Sequence, residues 1–457
     1  MLINIPVQVN RALDILEKNG HSAYVVGGAV RDAIMNKPAH DWDITTSALP
    51  EETMKAFDSF RIIETGLKHG TVTVIVDGME LEITTYRIEH GYSDNRHPDK
   101  VDFTDRIEDD LSRRDFTVNA IAYSPKRGFA DPFGGRNDIQ NKIIRCVGNA
   151  DKRFGEDSLR ILRALRFSSR LGFEIEPETS DSIHKNYELL KNISVERIFV
   201  ELSKLLCGDG AGKILRKYED VVFFILPELL PMKNCAQNHE RHIYDVWEHC
   251  VKAVESVDST PEMRFAMLLH DSGKPHCKTT DENGIDHFYG HADISREIAK
   301  DIFIRLKTSA AFRNHVCDLI QYHDFVPDKI SKKTYKKYIA KLGNNTVREL
   351  FNIRKADFLA QNPKFHEEEF KRNKHGLEIF ESIDSKEDCF KVTDLAIDGK
   401  DIIALGMKPS PEIGKILDTL LDDVMGEKTE NTFEALSKRA AQLINQQKGA
   451  DNGNSKN

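Results

Sequence analysis

Tyr24-Val-Val-Gly-Gly-Ala-Val-Arg-Asp-Ala-Ile-Met-Asn36 is followed closely by Ala39-His-Asp-Trp-Asp-Ile-Thr-Thr-Ser47. The first stretch reads strand, glycine turn, helix. Tyr24 to Val26 is a short apolar run with β-branched residues. Gly27 and Gly28 carry no Cβ, so backbone there can come close to a ligand. A helix that opens just past such a turn offers its N-terminal amides to an anion. Arg31, in the first turn of that helix, adds a planar cation suited to phosphate.

In the second stretch Asp41, Trp42, Asp43 and Ile44 alternate acid and apolar. Strand residues two apart share a face, so Asp41 and Asp43 point together while Trp42 and Ile44 turn to the core. Paired carboxylates repel, and a divalent cation relieves the repulsion. Oxygen donors suit Mg²⁺, which usually takes substrate phosphates as further ligands. A lone Asp-x-Asp is commonly a solvated strand end. Behind a Gly-Gly-x-x-Arg turn the pair suits nucleotidyl transfer through a two-metal arrangement.

The remaining composition bounds the class. A chain of 457 residues holds more than one ordinary domain, and 40% apolar with 30% charged residues describes a globular protein. No run of about 18 apolar residues exists, so no membrane span is expected. The first ten residues lack a basic region followed by an apolar core, so no secretion signal is read. The seven cysteines form no Cys-x-x-Cys pair, which favours reduced thiols and a cytoplasmic location over a zinc ribbon or redox motif. A net charge of -9 argues against a general nucleic-acid coat and leaves room only for a local basic groove.

Residues 5–19 and 51–57 read as helices, and 70–76 and 81–86 as two strands around the turn Asp77-Gly78. Glu82, between apolar neighbours of the second strand, either completes a carboxylate set with Asp41 and Asp43 or is a solvent-facing edge residue. Arg87 to Lys100 is a polar loop rich in Gly, Ser, Asp and Asn, expected to be mobile. Leu111 to Tyr123 suits a buried helix with a charged start, whose Arg113 and Arg114 either reach a triphosphate or lie on the surface. The turn cluster Asp131-Pro-Phe-Gly-Gly-Arg136 closes the catalytic unit near residue 145.

Residues 156–170 supply the basic groove. At roughly 100° per residue, Ile161, Leu162 and Leu165 gather on one side of a helix, and Arg160, Arg163, Arg166 and Arg170 on another. This is either a solvated face or a nucleotide contact. The second possibility carries a chemical prediction. A carboxylate only accepts hydrogen bonds and a guanidinium only donates them. Cytosine and adenine both place an exocyclic amine beside a ring-nitrogen acceptor. Asp157 can take the amine and Arg160 can serve the ring nitrogen. Uracil and guanine would set a carbonyl against Asp157, leaving buried groups unpaired at high cost.

With these motifs in hand, the chain resembles the class II CCA-adding tRNA nucleotidyltransferases of the polymerase-beta-type superfamily. The matching residues are Gly27-Gly28-x-x-Arg31-Asp32, Asp41-x-Asp43, Arg113-Arg114-Asp115-Phe116-Thr117-x-Asn119-Ala120, Asp131 to Gly135, and Glu156-Asp157-x-x-Arg160-x-x-Arg163-Ala164. The resemblance implies an α+β chain. A small nucleotidyltransferase head with a mixed sheet and helices is followed by a mostly helical neck, body and tail. It also implies addition of C, C and A to tRNA 3′ ends from CTP and ATP, with no template nucleic acid and no membrane. Asp41 and Asp43 would bind magnesium. Gly28, Arg31 and Arg114 would contact the triphosphate, Asp157 and Arg160 would read the base, and Arg163 and Arg166 would continue the nucleotide face. Bacterial poly(A) polymerases are similar. Thr65-Gly-Leu-Lys-His-Gly-Thr-Val-Thr73, however, resembles the CCA-adding form of its segment, and the loop Tyr92-Ser-Asp-x-Arg96-x-Pro98 is of the kind absent from enzymes that add only CC.

Residues 175–235 read as helical, and the second half then carries scattered histidines. Leu268-Leu-His-Asp-Ser-Gly-Lys-Pro275 resembles the metal centre of the HD phosphohydrolases. His249, His270, Asp271 and Asp357 match its ligand order, and His291 and His323 match positions that can hold a second metal or a phosphate. Imidazole with carboxylate suits a divalent transition-type metal better than Mg²⁺. Such a module either hydrolyses phosphate esters of damaged RNA ends or is retained inactive. Ala396 to Val424 reads as two helices about a Gly/Pro turn, similar to the tRNA-gripping tail of the family or else a packing hairpin. The expected divisions are head 1–145, neck 146–235, HD body 236–365, tail 366–445 and a disordered end 446–457.

Overall fold

The computed structural model describes residues 3–39, 41–66, 70–92, 98–326, 330–383 and 391–454. Five positions of the expected mobile loop (93–97), three of the Thr65–Thr73 segment (67–69), Cys389 and the last three residues (455–457) lie outside these. The chain forms two units, Met1–Leu230 with Ile302–Thr308, and Pro231–Asp301 with Ser309–Asn457.

In the first unit β1 (Ala23–Val26), β2 (Asp43–Thr46), β3 (Arg61–Gly66), β4 (Thr71–Val76) and β5 (Met79–Thr85) precede a separate two-stranded ribbon, β6 (Arg87–His90) with β7 (Lys100–Phe103). Two further strands, β8 (Ala122–Ser124) and β9 (Gly128–Ala130), complete a seven-stranded sheet in the order β3-β4-β5-β2-β1-β8-β9. Its β2–β5 pair is parallel and its other pairs are antiparallel, so the sheet is mixed as expected. The β4–β5 hairpin turns on Asp77 and Gly78, both at positive φ. That is the geometry an Asp-Gly turn favours. Alternation then buries Val72, Val74, Val76, Leu81 and Ile83 and exposes Glu80 and Glu82. The segment expected to be mobile thus has an ordered stem, with His90 opposite Lys100.

Leu111–Tyr123 departs from the expected helix. A short helix, Ile107–Ser112, stops at Arg113, and Thr117–Asn119 forms a single tight turn before β8. Backbone donors there find partners outside a helix. The Asp115 carboxylate accepts the Phe116 N–H at 2.8 Å, and Thr117 N donates to the Arg145 carbonyl at 2.9 Å. Once those donors are taken, the helical repeat of apolar residues is satisfied by burial alone. The turn at Asp131–Arg136 presses on this stretch. A Cβ on Gly135 would stand 2.1 Å from the Thr117 carbonyl oxygen, so only glycine fits.

Beyond the sheet the first unit is helical, with Ala150–Glu156, Leu159–Leu171, Pro177–Asn186, Val195–Leu206, Ala211–Lys217 and Glu219–Ile225. Leu159–Leu171 buries Ile161, Leu162, Ala164 and Leu165, and Gly172 at φ 71° ends it. In the second unit Val246–Ser256, Pro261–Leu269, Ala310–Gln321 and Asn344–Leu359 pack on one another. Gly399–Ala404 and Glu412–Met425 are the two tail helices the sequence predicts. With Phe433–Asn454 they enclose a core of their own, which includes Ile402, Ile416, Leu420, Leu436 and Ile444. The last helix runs to Asn454, past residue 446 where disorder was expected.

Candidate active site and metal centre

β1 ends at Val26 and the chain turns through Gly27, at φ 78° and ψ -135°, into Gly28–Ile34. Two arginines stand over that turn. A Cβ built on Gly27 would lie 3.2 Å from Nη1 of Arg114, and one on Gly28 would lie 3.7 Å from Nη2 of Arg31. Beside β1, Asp43 opens β2 opposite Val26. Trp42 and Ile44 are buried while Asp41 and Asp43 lie on the opposite face and line a groove, as the alternation requires. Ile44 pairs with Ile83 in the parallel register, which brings Glu82 alongside Asp43. Asp41, Asp43 and Glu82 line one groove. The Asp43 carboxyl is held above the usual carboxylate range, first by withdrawal from bulk water and then by the charges of Glu82 and Asp41, with Arg114 opposing. Three carboxylates, one of them with a raised proton affinity, form a donor set that a hard divalent cation would relieve.

The double arginine splits. Arg113 is spent on structure, forking onto the fully buried Asp110 at 2.8 and 3.0 Å and reaching Glu89 at 3.2 Å. Among the described residues Arg114 has a long 3.5 Å contact with Asp110, and its Nε makes no hydrogen bond there. Arg114 is therefore the partner left facing the glycine turn.

A polar relay fixes Arg31. Its Nη1 donates to Asn119 Oδ1 at 2.7 Å, and its Nε donates to Asp32 at 2.9 Å. Asn119 Nδ2 donates to Asp115 Oδ1 at 3.2 Å, and Arg163 forks onto Asp115 Oδ2 at 2.8 and 2.5 Å. Burial opposes ionisation of Asp115, but the Arg163 guanidinium prevails and brings its pKa down to about 2. The Phe167 ring lies among the same cations, with guanidinium carbons of Arg31, Arg163 and Arg166 at 5.3, 5.5 and 4.1 Å from its centroid.

The single helix expected over 156–170 is broken at Asp157, an extended residue between Ala150–Glu156 and Leu159–Leu171, so Asp157 lies outside the helix that carries Arg160 and the two point to different partners. Asp157 Oδ2 accepts from Arg197 at 3.3 Å, and Oδ1 accepts the Leu159 N–H. Arg160 donates to Glu156 at 2.7 Å and to the carbonyls of Arg153 and Arg113. Arg166 pairs with Glu201 at 3.1 Å. The sequence suggested no role for Arg197, Glu201 or Phe167. Arg197 and Glu201 lie on Val195–Leu206, which packs against Leu159–Leu171, and no local pattern marks an acid or arginine 40 residues away as a partner.

The second unit gathers the predicted histidines. Nε2 of His249 lies 3.2 Å from Nε2 of His270, 3.3 Å from Asp271 Oδ2 and 3.1 Å from Asp357 Oδ1. His270 Nε2 reaches the same two oxygens at 3.3 and 3.7 Å. The far ring nitrogens donate to carbonyls, His249 Nδ1 to Ala360 at 3.2 Å and His270 Nδ1 to Met267 at 2.8 Å. Those bonds leave both Nε2 lone pairs facing two carboxylates, a donor set of imidazole and carboxylate that suits a cation, with the buried Lys274 ammonium 2.6 Å from Asp271 Oδ2. Arg354 and Gln361 donate to Asp357 Oδ2 at 3.0 and 3.1 Å, which aims Oδ1 inward. A second group, Asp271, His291 and His323, adjoins it.

Three family models match: the Poly A polymerase head domain over 23–145, an RNA and SrmB binding site of polymerase A over 172–231, and tRNA nucleotidyltransferase domain 2 over 278–440. A CCA-adding enzyme from Lactobacillus helveticus (strain DPC 4571) is 35% identical over 443 residues, 96% of this chain and 97% of that protein. The chain belongs to the CCA-adding enzyme family. A second CCA-adding enzyme, from Ligilactobacillus salivarius (strain UCC118), is 47% identical over 224 residues, 48% of this chain and 55% of that protein. Among solved structures, the Bacillus stearothermophilus CCA-adding enzyme in complex with CTP superposes with a TM-score of 0.69 at 28% identity, covering 97% of this chain and 98% of that one. Poly(A) polymerases share the name of the head model. The end-to-end match to CCA-adding enzymes places this chain on the other branch and makes it an enzyme with an α+β fold of that family. No helix among the described residues is long and apolar enough to cross a membrane.

Proposed function

We propose that this protein adds C, C and A in turn to the 3′ end of tRNA, in the cytoplasm, from CTP and ATP and without a template, releasing pyrophosphate. The observation that carries the proposal is the groove where Asp41, Asp43 and Glu82 meet beside the glycine turn roofed by Arg31 and Arg114. In this reading the tRNA 3′-hydroxyl attacks the α-phosphorus of the bound nucleotide and the pyrophosphate leaves. Asp41 and Asp43, with Glu82 in support, hold Mg²⁺. The bound ions supply charge neutralisation at the attacking and leaving oxygens. Gly28 lets the triphosphate approach the backbone, and Arg31 and Arg114 steady it, Arg31 through the relay from Arg163, Asp115 and Asn119. Asp157 and Arg160 select the base, and Arg166 continues the cationic face. For base reading, Asp157 has to exchange Arg197 for the nucleotide amine.

Incorporation of labelled CTP, ATP, UTP and GTP into tRNA lacking its 3′ end tests the assignment. Wild type takes C and A only, and Asp157→Ala loses that discrimination. Unchanged selectivity in the variant would remove Asp157 from the base site. ATP-only tailing would move the protein to the poly(A) branch.

A second reading rests on the second unit. His249, His270, Asp271 and Asp357 hold one divalent transition-type ion, and the module acts as a phosphohydrolase on RNA ends. Its support is the convergence of those two imidazole Nε2 atoms and two carboxylates. Hydrolysis of 2′,3′-cyclic or terminal phosphates by the metal-loaded full chain, lost in Asp271→Asn, tests it. Bound metal without turnover would identify a retained, inactive module.

A further inference from the structure

Resting on that second reading, we infer that His287 and Tyr289 form a stacking platform for a nucleobase at the rim of the histidine–aspartate pocket. The ligand of the second unit is then a nucleoside phosphate, free or at the end of an RNA chain. Tyr289 is 79% exposed, the most of any large hydrophobic side chain among the described residues. It is nevertheless not loose. Its ring lies parallel to the His287 imidazole, with centroids 5.5 Å apart and planes 7° apart. One face of the phenol ring is covered by the imidazole, and the exposure of the residue leaves the other face to solvent.

The mount beneath the two rings is braced. Thr279–Thr280 and Asp286–His287 pair as a short antiparallel ribbon, with Thr279 opposite His287. Asp281 Oδ1 accepts the N–H groups of Asn283 and Ile285 at 2.9 and 3.0 Å and closes the turn of the ribbon. Its Oδ2 lies 3.1 Å from His287 Nε2 and pins the imidazole. Asp286, buried, accepts from Asn238 N, Lys278 Nζ and Thr280 Oγ1 at 2.8, 2.8 and 2.7 Å, which ties the ribbon to the body of the unit. A flat ring held in place before binding loses little freedom when a flat ligand settles on it.

The same segment runs into the pocket. Phe288, between the two stacked rings in sequence, offers its carbonyl to His291 Nδ1 at 2.8 Å, and His291 Nε2 lies 3.3 Å from Asp271 Oδ1. His287 and Tyr289 line one pocket with Asp271, Asp357, Arg241 and Arg372. The arginines and the cation of the second reading suit a phosphate. The phenol plane suits an aromatic ring. Inorganic phosphate or a phosphorylated sugar would leave that plane unused, whereas a nucleoside phosphate uses both. Every base has a π-face, so a platform of this kind is tolerant of sequence.

The test uses the full-length chain carrying Asp41→Ala/Asp43→Ala, so that the head contributes no metal. It is loaded with Mn²⁺, and bound metal is counted. Calorimetric titrations then compare inorganic phosphate, adenosine 3′-monophosphate, cytidine 3′-monophosphate and a short RNA ending in a 3′-phosphate. The nucleotides and the RNA should bind at least about 5-fold more tightly than inorganic phosphate. Tyr289→Ala, at an exposed side chain, should remove that advantage and leave phosphate affinity as it was. Tyr289→Trp should keep the advantage, and adenosine 3′-monophosphate should quench the added tryptophan fluorescence. A gain shown by the RNA alone assigns the platform to RNA ends, and an equal gain for the mononucleotides assigns it to the terminal nucleoside phosphate by itself. Equal affinity for phosphate and all three nucleoside phosphates, no binding of any of them, or unchanged affinities in Tyr289→Ala overturns the platform and leaves the one-ion reading intact. Absence of bound Mn²⁺ overturns both.

Discussion

Gly27 shows how narrowly single residues are constrained at the nucleotide site. Its φ of 78° with ψ of -135° is closed to side chains at a cost of about 1–3 kcal/mol, and an added Cβ would crowd the Arg114 guanidinium. Gly27→Ala should lower kcat/KM for CTP and ATP by at least ~10-fold while metal binding at the carboxylates persists. Steady-state kinetics with Mg²⁺ titration checks this. Asp43 carries a pH prediction. Its pKa is raised, so protons compete with metal at a higher pH than for an ordinary carboxyl. As pH is lowered, the Mg²⁺ concentration needed for half-maximal incorporation should therefore begin to rise while pH is still above the ordinary carboxylate range. A flat requirement down to ordinary carboxylate pH would contradict the crowded-carboxylate geometry. The sequence revealed both acids and the turn, because alternation and a glycine pair are local signals. It gave no means of separating Arg113 from Arg114. That distinction depends on where the fold places Asp110 and Glu89.

Element by element, strong local codes read correctly. Asp77-Gly78 between alternating strands gave the β4–β5 hairpin, and the arginine spacing gave the two faces of Leu159–Leu171. Leu111–Tyr123 misled because its apolar spacing fits a helix, while its backbone bonds go to Asp115 and Arg145. The same segment ties the head to that helix through Asp115 and Arg163. Because the folded pKa of Asp115 lies near 2, below its ordinary 3.8, the carboxylate contributes stability that is complete above about pH 4 and is lost as pH falls toward 2. Asp115→Asn should remove roughly 2 kcal/mol of that stability at neutral pH and flatten the acid limb, as followed by denaturant unfolding against pH. It should also lower incorporation by loosening Arg31. Unchanged kinetics would detach the relay from catalysis.

At the scale of the whole chain, the two chemistries sit in separate units, each with its own buried core. On the proposed second reading, stripping transition metal with a chelator and then restoring excess Mg²⁺ should lower the melting temperature of the second unit, because buried His249, His270, Asp271 and Asp357 would lose the cation that reading assigns to them. CTP and ATP incorporation should return. The sequence divided its attention in the same way. Order and spacing exposed the head motifs. The histidine centre became legible only as a list of residues scattered over about a hundred positions, and the approach of His291 to Asp271 required the fold.

The most direct test of the central claim is electrophoretic analysis of tRNA lacking its 3′ end after incubation with CTP, ATP and Mg²⁺, beside the Asp41→Ala/Asp43→Ala variant. The predicted result is growth by C, C and A followed by a stop, absent from the variant. Extension that survives loss of both aspartates, or no extension by the wild type, would contradict the assignment of this groove as the nucleotidyl-transfer site.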